Sequence, residues 1–109
     1  MITMMLRYTG KNDNAKRFVK EMIQSGTVDL IRKEPGNITY EYFFSMEDKD
    51  TVLLLDSWQD QEAIDIHHQS PMMKTIMDLR EKYDLHMTAQ RYILDEQGVP
   101  EKDQAFIRQ

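Results

Sequence analysis

The stretch Thr51-Val52-Leu53-Leu54-Leu55-Asp56-Ser57-Trp58 decides the fold of this chain. Its four consecutive aliphatic residues, Val52 to Leu55, put apolar side chains on both sides of an extended strand. A strand of that kind is covered on both faces, whereas a half-buried strand alternates apolar and polar residues. We therefore predict that Thr51 to Trp58 forms a central strand.

The residues before this strand predict its hairpin partner. From Asn37 onward, large side chains recur at every second position, which is the period of a strand. The polar connection from Met46 to Asp50 is short enough for a hairpin. The two strands should therefore pair in antiparallel fashion.

A strand and a helix are predicted upstream of the hairpin. Residues 2 to 9 alternate as a first strand. The polar stretch 11–14 offers side-chain oxygens that can cap a helix, and apolar residues then recur with helical spacing from Ala15 to Ile23. Ser25-Gly26 should bend this helix before one further turn.

The residues after the hairpin predict the same pair of elements again. Asp60 can cap one helix, and Ser70-Pro71 can begin another with Ser70 as its cap. Residues 85 to 94 alternate as a fourth strand. The order β-α-β-β-α-β predicts an α+β, ferredoxin-like βαββαβ sandwich with the helices on one face of the sheet.

The other face of this sheet has no cover within the chain. Phe43, Leu53 and Leu55 point to that face, and a monomer would leave them as an exposed apolar patch that is prone to association. A second copy of the same sheet would cover it, and the symmetric solution is a twofold homodimer. The sequence therefore predicts a dimeric α+β barrel.

The sequence predicts that the last residues form a separate arm. We predict one domain over residues 1–94 and a C-terminal arm over residues 95–109, which is polar apart from Val99 and the pair Phe106-Ile107. That pair needs a groove, which we expect on the partner copy. The arm should form a short helix.

Composition narrows the class of protein. The 109 residues suit a single domain. A net charge of −5 opposes nucleic-acid binding, and no apolar run approaches the ~20 residues of a membrane span. The absence of cysteine suits a reducing cytoplasm. No phosphate loop, G-x-G-x-x-G motif or G-x-S-x-G elbow supports a nucleotide cofactor or a hydrolase triad, so we predict an activity without a cofactor.

Three motifs follow one another in this order of elements. They are Glu34-Pro35-Gly36-Asn37-Ile38-Thr39-Tyr40-Glu41, then Asp56-Ser57-Trp58-Gln59-Asp60-Gln61-Glu62-Ala63-Ile64, then His67-x-x-Ser70-Pro71-x-Met73-Lys74. Together, over residues 2 to 93, they resemble the antibiotic biosynthesis monooxygenase family of small dimeric ferredoxin-like proteins. The resemblance implies a cofactor-independent monooxygenase acting on quinols or phenols, a haem-degrading enzyme, an isomerase of a small sugar phosphate, or a relative of another role.

Two departures from the family patterns bear on this choice. The haem-degrading branch carries Asn, Trp and His at positions that fall on Arg7, His67 and Met77 here, so the resemblance to that branch fails. The quinol branch commonly has His after the Ser/Thr-Pro pair, where this chain has Met72. One polar group of that branch's pocket is therefore missing.

His67 is the predicted general base. His67 and His68 are adjacent on a helix, so their side chains diverge by about 100° and only one can face the core. Ala63 and Ile64 set that face, and they place His67 inside; by resemblance it is the family's recurrent His. A neutral imidazole there could take a proton from a phenol. The alternative is a core histidine that bonds a backbone carbonyl and anchors the helix bend.

Trp58 and Asp56 lie two residues apart and so share one face of the third strand. Trp58 can offer a flat wall to an aromatic substrate, and Asp56 can orient His67 or another base. Alternatively, Trp58 plugs the core and Asp56 caps a backbone group.

The other candidate substrate contacts are arginines, tyrosines and methionines. Arg7 and Arg91, on the outer predicted strands, can pair with a substrate anion or with Glu41 and Asp56. Tyrosines can supply hydroxyls and methionines a pliable apolar wall, although both can equally fill a core. The residues we predict to bind substrate, besides Trp58, are Tyr42, Met72, Met73 and Tyr83.

The sequence thus predicts a homodimer that binds a small-molecule substrate. We expect a cofactor-free monooxygenase that oxidises a small aromatic between helices and sheet, with His67 and Asp56 as catalytic residues. The alternative is a non-catalytic small-molecule-binding dimer or an isomerase of a small sugar phosphate. Nucleic acid, membrane and metal ions are not expected partners.

Overall fold

The computed structural model describes residues 1–108 and contains a single four-stranded antiparallel sheet in the order β2-β3-β1-β4. The elements in chain order are β1 (Ile2–Thr9), α1 (Asn14–Gln24), α2 (Thr27–Arg32), β2 (Asn37–Phe44), β3 (Thr51–Trp58), α3 (Gln61–His68), α4 (Pro71–Lys82), β4 (His86–Ile93) and α5 (Glu101–Gln104). The predicted α+β ferredoxin-like fold is confirmed, and β3 lies inside the sheet between β2 and β1.

The core lies between the helices and one face of the sheet. From α1, the side chains of Phe18 and Met22 are fully buried because the helix's apolar stripe faces the strands. Tyr8, Leu54 and Trp58 meet them from β1 and β3. Burying side chains of this size stabilises a fold by roughly 1.5–3 kcal/mol each, so this layer supplies most of the driving force for folding.

The opposite face of the sheet, which we call the open face, carries the predicted apolar residues. Phe43 of β2 pairs with Leu53 of β3, and Leu55 pairs with Met5 of β1 on the same face. Phe43 is exposed, and Leu53 and Leu55 are only half-buried. Within residues 1–108, β3 is therefore covered by helices on one face alone.

Local details differ from the sequence predictions at the helix starts. Asp13 precedes α1 in a left-handed conformation, and its side chain makes no capping bond. Ser70 stands at the start of α4, but its hydroxyl donates to the carbonyl of His67 at 2.7 Å instead of capping α4. By contrast, the Asp60 carboxylate caps α3 as predicted by accepting from the Ala63 N–H at 2.9 Å.

Gly36 positions α3 against the beginning of β2. Its φ is +85°, and a Cβ at this position would lie 2.6 Å from the Cβ of Ala63. The turn also brings the Gly36 carbonyl to the Gln59 N–H at 2.8 Å. Only glycine accommodates both the backbone and the close helix. This turn carries Glu34 toward α3.

Residues 94–108, which follow β4, contain α5 and are exposed throughout. Phe106 is 86 % exposed. Docking of the arm on a second copy therefore stays a prediction. Among residues 1–108, no helix is both long and apolar enough to cross a membrane.

Candidate active site

A cavity of about 230 Å³ lies between α3, α4 and the sheet. One part of its wall is apolar, and the other part carries charged or polar groups. The residues that line it are Met4, Leu6, Asp56, Trp58, Gln61, Ile64, His68, Met73, Arg80, Met87 and Arg91. The cavity is therefore the place where ionisable groups meet a desolvated surface.

The sheet register lines up three of these residues across the cavity floor. Asp56 of β3 pairs with Met4 of β1, and Met4 pairs with Arg91 of β4. Paired residues in adjacent strands point to the same face, so all three side chains face the helices. Two strand spacings put the backbones of Asp56 and Arg91 roughly 10 Å apart, with Met4 between them.

Asp56 is the ionisable group at the inner end of this row. It is 7 % exposed, and its Oδ1 accepts a hydrogen bond from Trp58 Nε1 at 2.5 Å. Burial raises the pKa of Asp56 to about 7; the Trp58 bond lowers it, the nearby Glu34 charge raises it, and the Arg80 charge lowers it. The carboxyl therefore changes its charge near neutral pH, which is what a general acid or base requires.

Arg80 supplies a cation beside this carboxyl. Its Nη2 donates to the Tyr8 hydroxyl at 2.8 Å, and its guanidinium lies 5.4 Å from the centre of the Tyr8 ring. Its Nε is buried and has no hydrogen-bond partner within residues 1–108. A buried donor without a partner is costly, and Arg80 is one of the residues that line the cavity, where a ligand oxygen would supply an acceptor.

His67 lies inside the protein as predicted, and His68 is exposed. Its partner is the Glu34 carboxylate, with His67 Nδ1 at 3.1 and 3.2 Å from the two oxygens, and not the backbone carbonyl of the alternative reading. Because a carboxylate only accepts, Nδ1 carries the proton. Burial lowers the pKa of His67, and Glu34 opposes this shift only in part. A neutral His67 therefore ties α3 to the segment before β2.

Trp58 connects His67 to the cavity. The ring of His67 stacks on that of Trp58 with centroids 4.6 Å apart and planes inclined by 31°. Trp58 in turn donates to Asp56, so the contacts run from Glu34 through His67 and Trp58 to Asp56. His67 is not among the residues that line the cavity, whereas its exposed neighbour His68 is.

The structure brings together three of the seven predicted site residues, Asp56, Trp58 and Met73, at the cavity wall. The other predicted substrate contacts lie elsewhere. Tyr42 packs against Phe18 and Tyr40 in the core, and burial raises the pKa of its hydroxyl. Tyr83 donates to Glu21 of α1 at 2.6 Å, and Met72 packs against the core from α4.

The sequence reasoning missed Arg80 and Gln61. Arg80 lies seven residues after Met73, two helical turns along α4 and hence on the same face. A lone cation on an otherwise apolar helix face was the available signal. The sequence offered no such signal for Gln61, whose Oε1 accepts from Nη1 of Arg91 on β4 at 2.7 Å.

The comparisons with known proteins agree on the fold. The model of the antibiotic biosynthesis monooxygenase family matches residues 1–79. No curated protein matches the sequence. Similar solved structures include a candidate antibiotic biosynthesis monooxygenase from Deinococcus radiodurans, at 14% identity over 88% of this chain and 94% of that chain, with a TM-score of 0.76.

Two further solved structures share the fold. A conserved protein from Methanosarcina mazei is 22% identical over 84% of this chain and 89% of that chain, with a TM-score of 0.71. The N63A mutant of SnoaB, a cofactor-independent oxygenase from Streptomyces nogalater, is 13% identical over 87% of this chain and 93% of that chain, with a TM-score of 0.66. At these identities the likeness establishes the fold and not the reaction.

Proposed function

Because the chain belongs to the antibiotic biosynthesis monooxygenase family, we propose that it is a cofactor-independent monooxygenase that oxidises a small phenol or quinol in the cavity. One observation carries the proposal: the partly apolar cavity has a single carboxyl in its lining, that of Asp56, and burial raises the pKa of this carboxyl to about 7. Oxidation without a cofactor requires a substrate that gives its own electrons to oxygen once a base has removed its proton. A desolvated cavity with such a base meets this requirement.

The chemistry balances with molecular oxygen as the co-reactant. Asp56 takes the hydroxyl proton, and the resulting phenolate places electron density on a ring carbon that forms a bond to oxygen. The proton returns to the distal oxygen and gives a hydroperoxide. The ring hydrogen on the same carbon and the distal OH of the hydroperoxide then leave together as one water molecule, and a carbonyl remains. One oxygen atom enters the product, one leaves as water, and the substrate supplies all four electrons.

Arg80 suits the second role that this reaction needs. The phenolate formed in the first step is a new negative charge in a desolvated site, where a fixed cation or donor stabilises it more strongly than in water. Arg80, whose Nε has no hydrogen-bond partner within residues 1–108, lines the same cavity as Asp56. We assign Arg80 to that charge and Asp56 to the proton.

His67 acts in this proposal as a positioning residue. Its contacts with Glu34 and Trp58 hold the indole that donates to Asp56. The predicted roles of the two residues are thereby exchanged, because Asp56 lines the cavity and His67 does not. His67 would support proton transfer by keeping one Asp56 oxygen occupied and the carboxyl oriented.

The cavity's size and walls favour a small aromatic ligand. Its 230 Å³ is below the ~300–1,000 Å³ typical of sites for drug-sized ligands. Met73, Met87 and Trp58 give one part of the cavity wall a polarizable apolar surface, which suits an aromatic ring better than a sugar. These features argue for a phenol or quinol over the alternative sugar phosphate.

We also propose that the protein works as a homodimer in which the open faces of two sheets pack together. Phe43, Leu53 and Leu55 form an apolar centre on that face. A stable interface buries about 800 Å² per partner, and a twofold axis would place the same patch on both copies. The absence of cysteine supports a reducing compartment such as the cytoplasm.

Oxygen consumption with a panel of quinols and anthrones tests the proposed function. Wild-type protein should consume oxygen with at least one of them, and Asp56→Asn should lower the rate by about 10²–10⁴-fold, the usual contribution of a general base. Asp29→Asn on the exposed surface of α2 is the matched control and should retain the rate. No uptake with any panel member would refute the oxidation, and binding without uptake would favour the non-catalytic alternative.

A further inference from the structure

We infer that the substrate of this site is a hydroxyaromatic acid whose carboxylate binds Arg91 at the cavity mouth while its hydroxyl lies at Asp56. The inference rests on the proposed function and names its substrate class. It is carried by the register of the sheet, by two cavity arginines that make no salt bridge within residues 1–108, and by the position of the cavity mouth.

The inner and outer ends of the cavity differ in exposure. Asp56 and Trp58 are buried at the inner end, whereas Arg91, Gln61 and His68 are exposed at the outer end. β4 is exposed along its whole length, so the cavity opens toward this strand. A ligand that enters at β4 meets Arg91 first and Asp56 last.

The spacing between the two ends suits one aromatic ring with a polar group at each side. Asp56, Met4 and Arg91 form one row of the sheet, and the first and last of them stand roughly 10 Å apart in the backbone. Met4 between them provides an apolar floor. A ring lying on Met4 would present its hydroxyl to Asp56 and an opposite substituent to Arg91.

The charges of the cavity call for an anion at the outer end. The chain has 19 acidic residues against 14 basic ones, yet neither Arg80 nor Arg91 makes a salt bridge within residues 1–108. Arg91 Nη1 donates to Gln61 Oε1 at 2.7 Å, and Gln61 donates to Asp65 at 2.9 Å. The side chain of Gln61 therefore lies between Arg91 and the Asp65 carboxylate. The remaining donors of Arg91 match the two oxygens of a carboxylate.

Ligand binding without turnover tests this assignment. The probes are 4-hydroxybenzoate and its neutral amide, 4-hydroxybenzamide, titrated calorimetrically and by the fluorescence of Trp58, the one tryptophan in the sequence. The acid should bind wild type about 10- to 100-fold more tightly than the amide, which is the range for hydrogen bonds to a charged group. Absence of measurable binding by the acid, or equal binding of acid and amide, overturns the inference.

Variants of Arg91 test whether this residue causes the preference for the acid over the amide. Arg91→Gln should remove the preference for the acid, and Arg91→Lys, which keeps the charge, should retain part of it. Arg17→Gln on the exposed surface of α1 makes the same change of charge away from the cavity and should leave the preference intact. A preference that persists in Arg91→Gln overturns the assignment of Arg91.

Two further measurements distinguish failure of the proposed substrate class from failure of the proposed oxidation. Tighter binding of ribose 5-phosphate than of 4-hydroxybenzoate would overturn the aromatic class and place a phosphate at Arg91. Oxygen uptake with 2,5-dihydroxybenzoate should be faster at low concentration than with its amide. If 2,5-dihydroxybenzoate and its amide bind equally and are oxidised equally fast, the substrate is not an acid, but the proposed oxidation is still supported. If binding shows a preference for the acid that depends on Arg91 and no quinol causes oxygen uptake, only the proposed oxidation is refuted.

Discussion

Replacing Asp56 by Asn should stabilise the protein, most strongly above neutral pH, while it lowers the activity. Asn has nearly the same shape and keeps an oxygen that can accept from Trp58 Nε1, so the indole stays in place. What the replacement removes is the cost of burying a negative charge. Because of that cost, the folded carboxyl ionises at a higher pH than the unfolded one, and wild type loses stability over the pH range in which only the unfolded chain is charged.

The size of the effect follows from the pKa of Asp56 in the two states. Below pH 3.8 the carboxyl is protonated in the folded and the unfolded chain alike. Between 3.8 and about 7 only the unfolded chain ionises, so the folded wild type loses stability as the pH rises. Each pH unit in this window costs about 1.4 kcal/mol, which amounts to about 3 kcal/mol between pH 5 and pH 8. The Asn variant has no such loss.

Urea denaturation followed by circular dichroism measures this difference. With a slope of about 1–3 kcal/mol/M for a protein of this size, the 3 kcal/mol corresponds to about 1–3 M in the urea midpoint. When the pH is raised from 5 to 8 at one fixed protein concentration, the urea midpoint of the variant should therefore rise relative to that of wild type by roughly this amount. The low pKa of His67 acts in the opposite direction, but it is common to both proteins and cancels. Parallel loss of stability in both would refute the buried, ionising Asp56.

Three more predictions address the other proposals. Leu55→Lys on the open face should yield a monomer by light scattering where wild type is a dimer, and a monomeric wild type at micromolar concentration would rule out the dimer. A chain ending at Ala105 should melt at a lower temperature because it lacks Phe106, and an unchanged melting temperature would make the arm a free terminus. His67→Ala should lower stability by about 1–3 kcal/mol because Glu34 loses its buried partner, whereas His68→Ala should not; greater damage from His68→Ala would contradict the burial of His67.

Much of the fold could be predicted because its signals are local. The alternation in residues 2–9 and the caps and breaks around Gly26 and Asp60 depend on neighbours within a few positions, and the observed elements follow them closely. The errors arose where two local solutions compete. Ser70 can bond forward into its helix or back to the preceding turn, and the close succession of α3 and α4 selects the backward bond to His67.

The candidate site was predicted only in part for a related reason. Asp56 and Trp58 were found together because they are two residues apart on one strand, and the inward face of His67 followed from Ala63 and Ile64 on the same helix. Whether His67 faces the cavity or Glu34 depends on a turn 33 residues away, and no periodicity reports it. Tyr42 and Tyr83 carry the same chemistry as site residues but lie against α1 and other core groups.

By itself, the sequence determined the elements of this protein, their order and the side of each strand that is apolar, since these depend on the period of side chains along the backbone. Tertiary structure decided which of those residues meet. The strand order β2-β3-β1-β4 sets Met4 between Asp56 and Arg91, residues that are 35 positions apart in the chain or more. Packing of α3 and α4 over that row removes water from Asp56, and this desolvation, which no single segment possesses, raises its pKa to about 7.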